Sequence, residues 1–126
     1  MDKQVVYTDK APEPGPYSQA IVYGNLVFVS GQTSDDPETH EPIKDSIAQQ
    51  TRRILTHIRY ILEEAGSSLD KVLKVNVYLS EWEHKDEMNA VYKTFFPHNP
   101  PARIAMAVKG LDAGLDVEID CIAGLE

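Results

Sequence analysis

The stretch Ser46 to Gly66, SIAQQTRRILTHIRYILEEAG, does most to limit what this chain can fold into. Its Ile47, Ile54, Leu55, Ile58, Ile61, Leu62 and Ala65 fall on one stripe at helical spacing. Ser46 followed by Gln49 is a capping-box signal at the start, and Gly66 is a C-terminal cap. A helix that is apolar on one side only must bury that side against a second layer. The next segment, KVLKVNVYLS, supplies a strand for that layer. Alternation puts Leu73, Val75, Val77 and Leu79 on one face and Lys74, Asn76 and Tyr78 on the other.

The remaining elements extend the same two-layer scheme. KQVVYT reads as a short strand. APEPGPYSQ is a loop held extended by its prolines. Ala20–Tyr23 and Leu26–Ser30 read as a hairpin turning at Gly24 and Asn25. GQTSDDPETHEPI is a polar loop. Ser80 with Glu83 is a second capping-box signal, ahead of a helix with Met88, Val91, Tyr92 and Phe95 on one face and Pro97 beyond its end. Two strands finish the chain, about Arg103–Val108 and Asp116–Ala123, with GLDAG between them. The expected fold is α+β, a single domain over residues 1–126 with two helices on one face of a sheet.

In this reading Ile104, Met106 and Val108 face the helices, and Arg103, Ala105 and Ala107 face away. Val117, Ile119, Cys121 and Ala123 share one side of the last strand; Glu118, Asp120 and Ile122 share the other. The face away from the helices mixes small, apolar and charged residues. A face of that kind calls for a cover, and another copy of the chain is the expected one.

The totals exclude several classes. Hydrophobic residues make up 42% of the 126, which fits a globular fold. No apolar run is long enough to span a bilayer, and the N-terminus has no apolar signal region, so a cytoplasmic setting is expected. The single Cys121 excludes an intrachain disulfide and a cysteine-based zinc site. The net charge of −8 argues against a nucleic-acid partner but leaves room for a small anionic ligand at one positive site.

Arg103 and Glu118 are the first candidates for chemistry. The final strands are expected to pair as a hairpin or lie close together, with both side chains on the face away from the helices. A guanidinium can grip a carboxylate through two parallel hydrogen bonds, and a glutamate can hold a water and move a proton. The same pair could be a structural salt bridge at a subunit interface, which the pattern alone favours. Tyr17, in its proline-held loop, can meet a ligand or pack the loop onto the sheet. Ser30, just before Gly31, can edge a pocket or serve a turn. His40, His57, His84 and His98 are scattered, without metal-ligand spacing, and read as surface residues. Cys121 reads as core.

The segments APEPGPYSQAI, GNLVFVSGQ, MNAVYKTFF, NPPAR and VEIDCIA occur in this order. Together they resemble the Rid family, the reactive intermediate deaminases also called YjgF or L-PSP proteins, over residues 5 to 124. The resemblance implies a chorismate-mutase-like fold and a homotrimer with a central barrel and sites between subunits. It implies hydrolysis of 2-imino acids (2-aminoacrylate, 2-iminopropanoate, 2-iminobutanoate) to 2-keto acids and ammonia, without cofactor or metal. By position, Arg103 matches the arginine that binds the substrate carboxylate, and Glu118 the glutamate that holds the attacking water. Tyr17, Ser30 and Gly31 match the pocket lining, and Asn89 a residue near the ligand. Ala105 stands where many deaminating members have a cysteine. If that cysteine contributes mainly its backbone, alanine keeps the function; if its thiol matters, activity or substrate range changes. Retained deamination is expected, because the imine is already electrophilic. The alternatives are a non-catalytic trimer that binds small carboxylates or acts as a chaperone, and an endoribonuclease.

Overall fold

The computed structural model describes residues 2–126. Its strands are β1 (Gln4–Val6), β2 (Ala20–Tyr23), β3 (Leu26–Gln32), β4 (Val72–Leu79), β5 (Ala102–Ala107) and β6 (Val117–Gly124); its helices are α1 (Ile47–Glu64) and α2 (Lys85–Phe95). One mixed sheet holds all six strands in the order β1-β2-β3-β6-β4-β5. Only β4 and β5 pair in parallel. Parallel neighbours need a long crossover, and α2 is that crossover. α1 carries the chain from β3 to β4, and β6 then inserts between those two strands.

α1 forms as its stripe requires. Ser46 Oγ accepts from the Gln49 backbone N–H at 3.1 Å, and Gly66 takes φ 86° just past the end. Ile54, Leu55, Ile58, Ile61 and Leu62 are at most 1% exposed. They meet Val27 and Val29 of β3, Val75, Val77 and Leu79 of β4, and Val117, Ile119 and Cys121 of β6 in one core. Burying each such side chain contributes about 1.5–3 kcal/mol. Gly24 takes φ 63° in the two-residue β2–β3 turn.

The structure corrects several sequence expectations. β5 and β6 do not form a hairpin, because β4 lies between them. β5 also presents the opposite faces to those expected. Arg103, Ala105 and Ala107 pair beside Val75, Val77 and Leu79, so they share the helix side. Ile104 and Met106 are 47% and 39% exposed on the other side. Leu73 leaves its expected face because the β4–β6 register shifts between Val72 and Lys74, and Val72 is buried in its place. Ser80 does not cap α2; its hydroxyl donates to Asp116 Oδ1 at 2.8 Å, and a short 3-10 turn, Trp82–His84, precedes the helix. Phe95 packs half-buried against the core as expected, and Phe96, just past the end of α2, is buried beside it. His57 is buried at 3% exposure, contrary to its surface reading, and burial lowers its pKa to about 4.

Candidate active site

Glu118 lies on β6 between Val117 and Ile119, both of which point into the core, so alternation turns it to the face away from the helices. The adjacent strand is shaped to receive it. The β3–β6 register slips between Val29 and Gln32, so Ser30 and Gly31 share the space of one partner residue. A bulge of this kind re-aims side chains. Gly31 is the consequence: a Cβ there would lie 3.1 Å from Glu118 Cδ, 3.3 Å from Cγ, and closer still to Oε2. The absent side chain is the space the carboxylate occupies.

Tyr17 reaches the same place from the proline-rich loop. That loop is stapled from beneath by the buried amide of Gln19. Gln19 Oε1 accepts from the Thr8 backbone N–H at 2.7 Å, while its Nε2 donates to the Thr8 and Pro12 carbonyls at 3.0 and 2.9 Å. Ser30 Oγ donates to the Ser18 carbonyl at 2.6 Å, tying the bulge to the loop. The result is an open cavity of about 440 Å³ lined by Tyr17, Ser30, Gly31, Thr33, Asp112 and Glu118. Four of these were expected from sequence. Thr33 and Asp112 were not, since Asp112 sits in a turn that only folding brings over β3. Gln19 was not singled out either; its signal is a lone amide beside a loop with no ladder to satisfy its backbone.

The Glu118 pKa is raised, first by burial and then by the charges of Asp120 and Asp112. All three influences act in one direction, so the carboxylate is poised to accept a proton more readily than an ordinary glutamate. Asp120 is itself occupied, accepting from Asn76 Nδ2 at 2.7 Å and the Tyr78 hydroxyl at 3.1 Å.

Arg103 lies on the other side of the sheet. Its Nη1 donates to Asn89 Oδ1 at 2.6 Å, and its guanidinium carbon sits 4.7 Å from the centre of the Tyr92 ring. Asn89 and Tyr92 occupy one side of α2, three residues apart, so the helix fixes the guanidinium plane. No carboxylate pairs with Arg103 among the described ion pairs. Ala105 follows on the same face of β5, partly buried against the core. The structure thus groups Arg103, Asn89 and Ala105 in one place and Tyr17, Ser30, Gly31 and Glu118 in another. The expected same-face pairing of Arg103 with Glu118 within one chain is not observed.

Cys121 points into the core, 3% exposed, and burial pushes its thiol up to about 12. Among the described residues, no group of three or more His, Cys, Asp or Glu could hold a metal ion. No helix among them is long and apolar enough to cross a membrane.

The family profile described as Endoribonuclease L-PSP matches residues 8–125. A RutC family protein of Pyrococcus abyssi is 48% identical over 124 residues, covering 98% of each chain. This chain belongs to the Rid (YjgF/L-PSP) family. Another Rid relative, the 2-iminobutanoate/2-iminopropanoate deaminase of Rattus norvegicus, is 35% identical over 122 residues, covering 96% of this chain and 89% of the rat protein. The crystal structure of RidA from the Antarctic bacterium Psychrobacter sp. superposes with a TM-score of 0.92 at 39% identity, covering 96% of this chain and 98% of that one. The mixed six-stranded sheet with two helices on one face is therefore the Rid fold.

Proposed function

We propose that this protein hydrolyses reactive 2-imino acids, such as 2-iminopropanoate and 2-iminobutanoate, to 2-keto acids and ammonia. The observation that carries the reading is a complementary pair of incomplete sites. Arg103 is a positioned guanidinium with no carboxylate partner. The Glu118 cavity has carboxylates and no cation. An imino acid has what each one lacks, a carboxylate for Arg103 and an electrophilic carbon with a basic nitrogen for Glu118.

The two groups lie on opposite faces of one sheet. We therefore propose that a working site takes Arg103 from one copy and Glu118 from another, in the homotrimer that the family resemblance implies. The exposed Phe28, Ile104 and Met106 on the sheet face support such a cover.

In the proposed reaction, Arg103 binds the substrate carboxylate in two parallel hydrogen bonds. Glu118 takes a proton from water as the water oxygen bonds to the imine carbon. The imine nitrogen takes a proton from solvent as its C–N double bond opens to the carbinolamine. The proton held by Glu118 then passes to that nitrogen, the C–N bond breaks with its electron pair leaving on ammonia, and the hydroxyl gives up its proton to solvent as the ketone forms. One water is consumed, and no electrons are exchanged with any other group. Such imines hydrolyse unaided, so positioning and one proton transfer meet the catalytic demand. The deaminase name of the rat relative supports this choice of chemistry.

An endoribonuclease finds less support. A phosphodiester backbone would meet Asp112 and Glu118 in the cavity of a chain with net charge −8. The test is an assay in which an amino-acid oxidase generates iminopropanoate and keto-acid formation is followed. Acceleration by the wild type, lost in Arg103→Ala, is expected. Equal acceleration by both proteins would refute the assignment.

A further inference from the structure

Asp112 has a place in the cavity that the hydrolytic scheme does not use. We propose that Asp112 makes the site charge-selective, favouring imino acids with a cationic side chain over neutral ones of the same shape and disfavouring those with a second carboxylate. This inference rests on the imine reading and names the substrate class within it.

Three observations converge. First, one chain lines the cavity with two carboxylates, Asp112 and Glu118, and no cation, and the Arg103 that another copy brings is taken up by the substrate's own carboxylate, which leaves Asp112 to act on the side chain. The open space that one chain leaves here, about 440 Å³, exceeds what a three-carbon imino acid fills, which is room for a longer side chain on the Asp112 side. Second, within one chain Asp112 is exposed and takes part in none of the described ion pairs, so no group of its own chain neutralises its charge. Its field already reaches the reaction centre, since it is one of the charges that raise the Glu118 pKa.

Third, Asp112 is held in place. The Gly114 backbone N–H donates to the Leu111 carbonyl at 3.2 Å, and that of Leu115 to the Asp112 carbonyl at 3.1 Å. Ala113 and Gly114 take φ 56° and 67°, closing the turn, and Leu115, 1% exposed, anchors it in the protein. A non-glycine residue held at positive φ marks a turn imposed by its surroundings. The turn therefore fixes the Asp112 backbone, and with it the side of the cavity from which its carboxylate acts.

Two unit charges about 7 Å apart in a largely aqueous mouth interact strongly enough to change kcat/KM by about three- to tenfold, and salt weakens the effect. Arginine and citrulline give imines that match in shape and differ in side-chain charge. An oxidase can generate both, together with the glutamate-derived imine, in the presence of this protein. The wild type is expected to prefer the arginine-derived imine over the citrulline-derived one by about threefold or more at low salt, with the glutamate-derived imine slowest. Asp112→Asn should bring the arginine/citrulline ratio close to one, and Asp112→Lys should invert it. Because the ratio is the readout, any loss of rate common to both substrates cancels.

A wild-type ratio near one, or a ratio unchanged in Asp112→Asn, would overturn the inference while leaving imine hydrolysis standing. If no imine is accelerated, the hydrolytic reading fails by itself. The selectivity is then decided by NMR titration with the stable 2-keto acids bearing the same side chains, under the same criterion for the ratio and its loss in Asp112→Asn.

Discussion

Gly31→Ala separates the shape of the candidate site from the stability of the fold. The new Cβ would sit 3.1 Å from Glu118 Cδ and inside any allowed contact with Oε2. Relief requires the carboxylate to retreat by about 1 Å, since non-bonded heavy atoms settle at about 3.5–4 Å. Only the end of a flexible side chain must move, so the fold should absorb the change. The methyl group also restricts the unfolded chain, which offsets part of the strain. The expected change in stability is within about 1 kcal/mol, read as a melting temperature close to wild type. Catalysis should not absorb it. Displacing a group that positions water by about 1 Å costs on the order of a hundredfold in rate. Imine hydrolysis and thermal unfolding measured on the same preparation test both halves. A Gly31→Ala protein with full activity would refute the role given to Glu118. One that fails to fold would refute the claim that Glu118 alone is displaced.

Three further outcomes follow from burial and charge. Glu118→Gln should abolish hydrolysis yet raise the melting temperature at pH 7. The folded-state pKa of Glu118 lies above its ordinary 4.5, so ionisation costs stability as pH rises through that folded value, and the gain from the amide should vanish below pH 4.5. His57 behaves in the opposite sense. Burial holds its pKa at about 4 against 6.5, so the unfolded chain takes up protons first, and about 3 kcal/mol of stability should be lost as pH falls from 6.5 to 4. Unfolding curves across that range should show the slope, and His57→Phe should flatten it. Ile61→Ala, at a side chain with no exposure, should cost about 2–5 kcal/mol in denaturant unfolding.

The helical layer was largely legible in the sequence, because the periodic stripe of α1 and its Ser46 cap are local signals. The β2–β3 hairpin was legible for the same reason. The orientation of β5 was not. Alternation separates Arg103 and Ala105 from Ile104 and Met106 but does not say which set faces inward, and apolarity pointed the wrong way. β5 is an edge strand with one partner, and its apolar residues lie on a face that one chain leaves open. The same mistake put Arg103 beside Glu118. Ser80 misled because Asp116, thirty-six residues away, takes its hydroxyl. Glu118, Tyr17 and Ser30 were candidates from alternation, the proline-held loop and the strand end, and the motif resemblance added Gly31 and tipped Glu118 toward function, whereas Asp112 has no local signal and enters only when its turn folds over β3.

The most direct test of a site shared between copies is complementation. Arg103→Ala and Glu118→Gln should each be inactive alone. Co-expressed in equal amounts, they should form mixed assemblies in which, on the proposed arrangement, some sites receive the intact Arg103 of one copy and the intact Glu118 of another. Random assortment into a ring should restore about one quarter of wild-type activity. No recovery from mixed assemblies of two well-folded variants would contradict a site built from two chains.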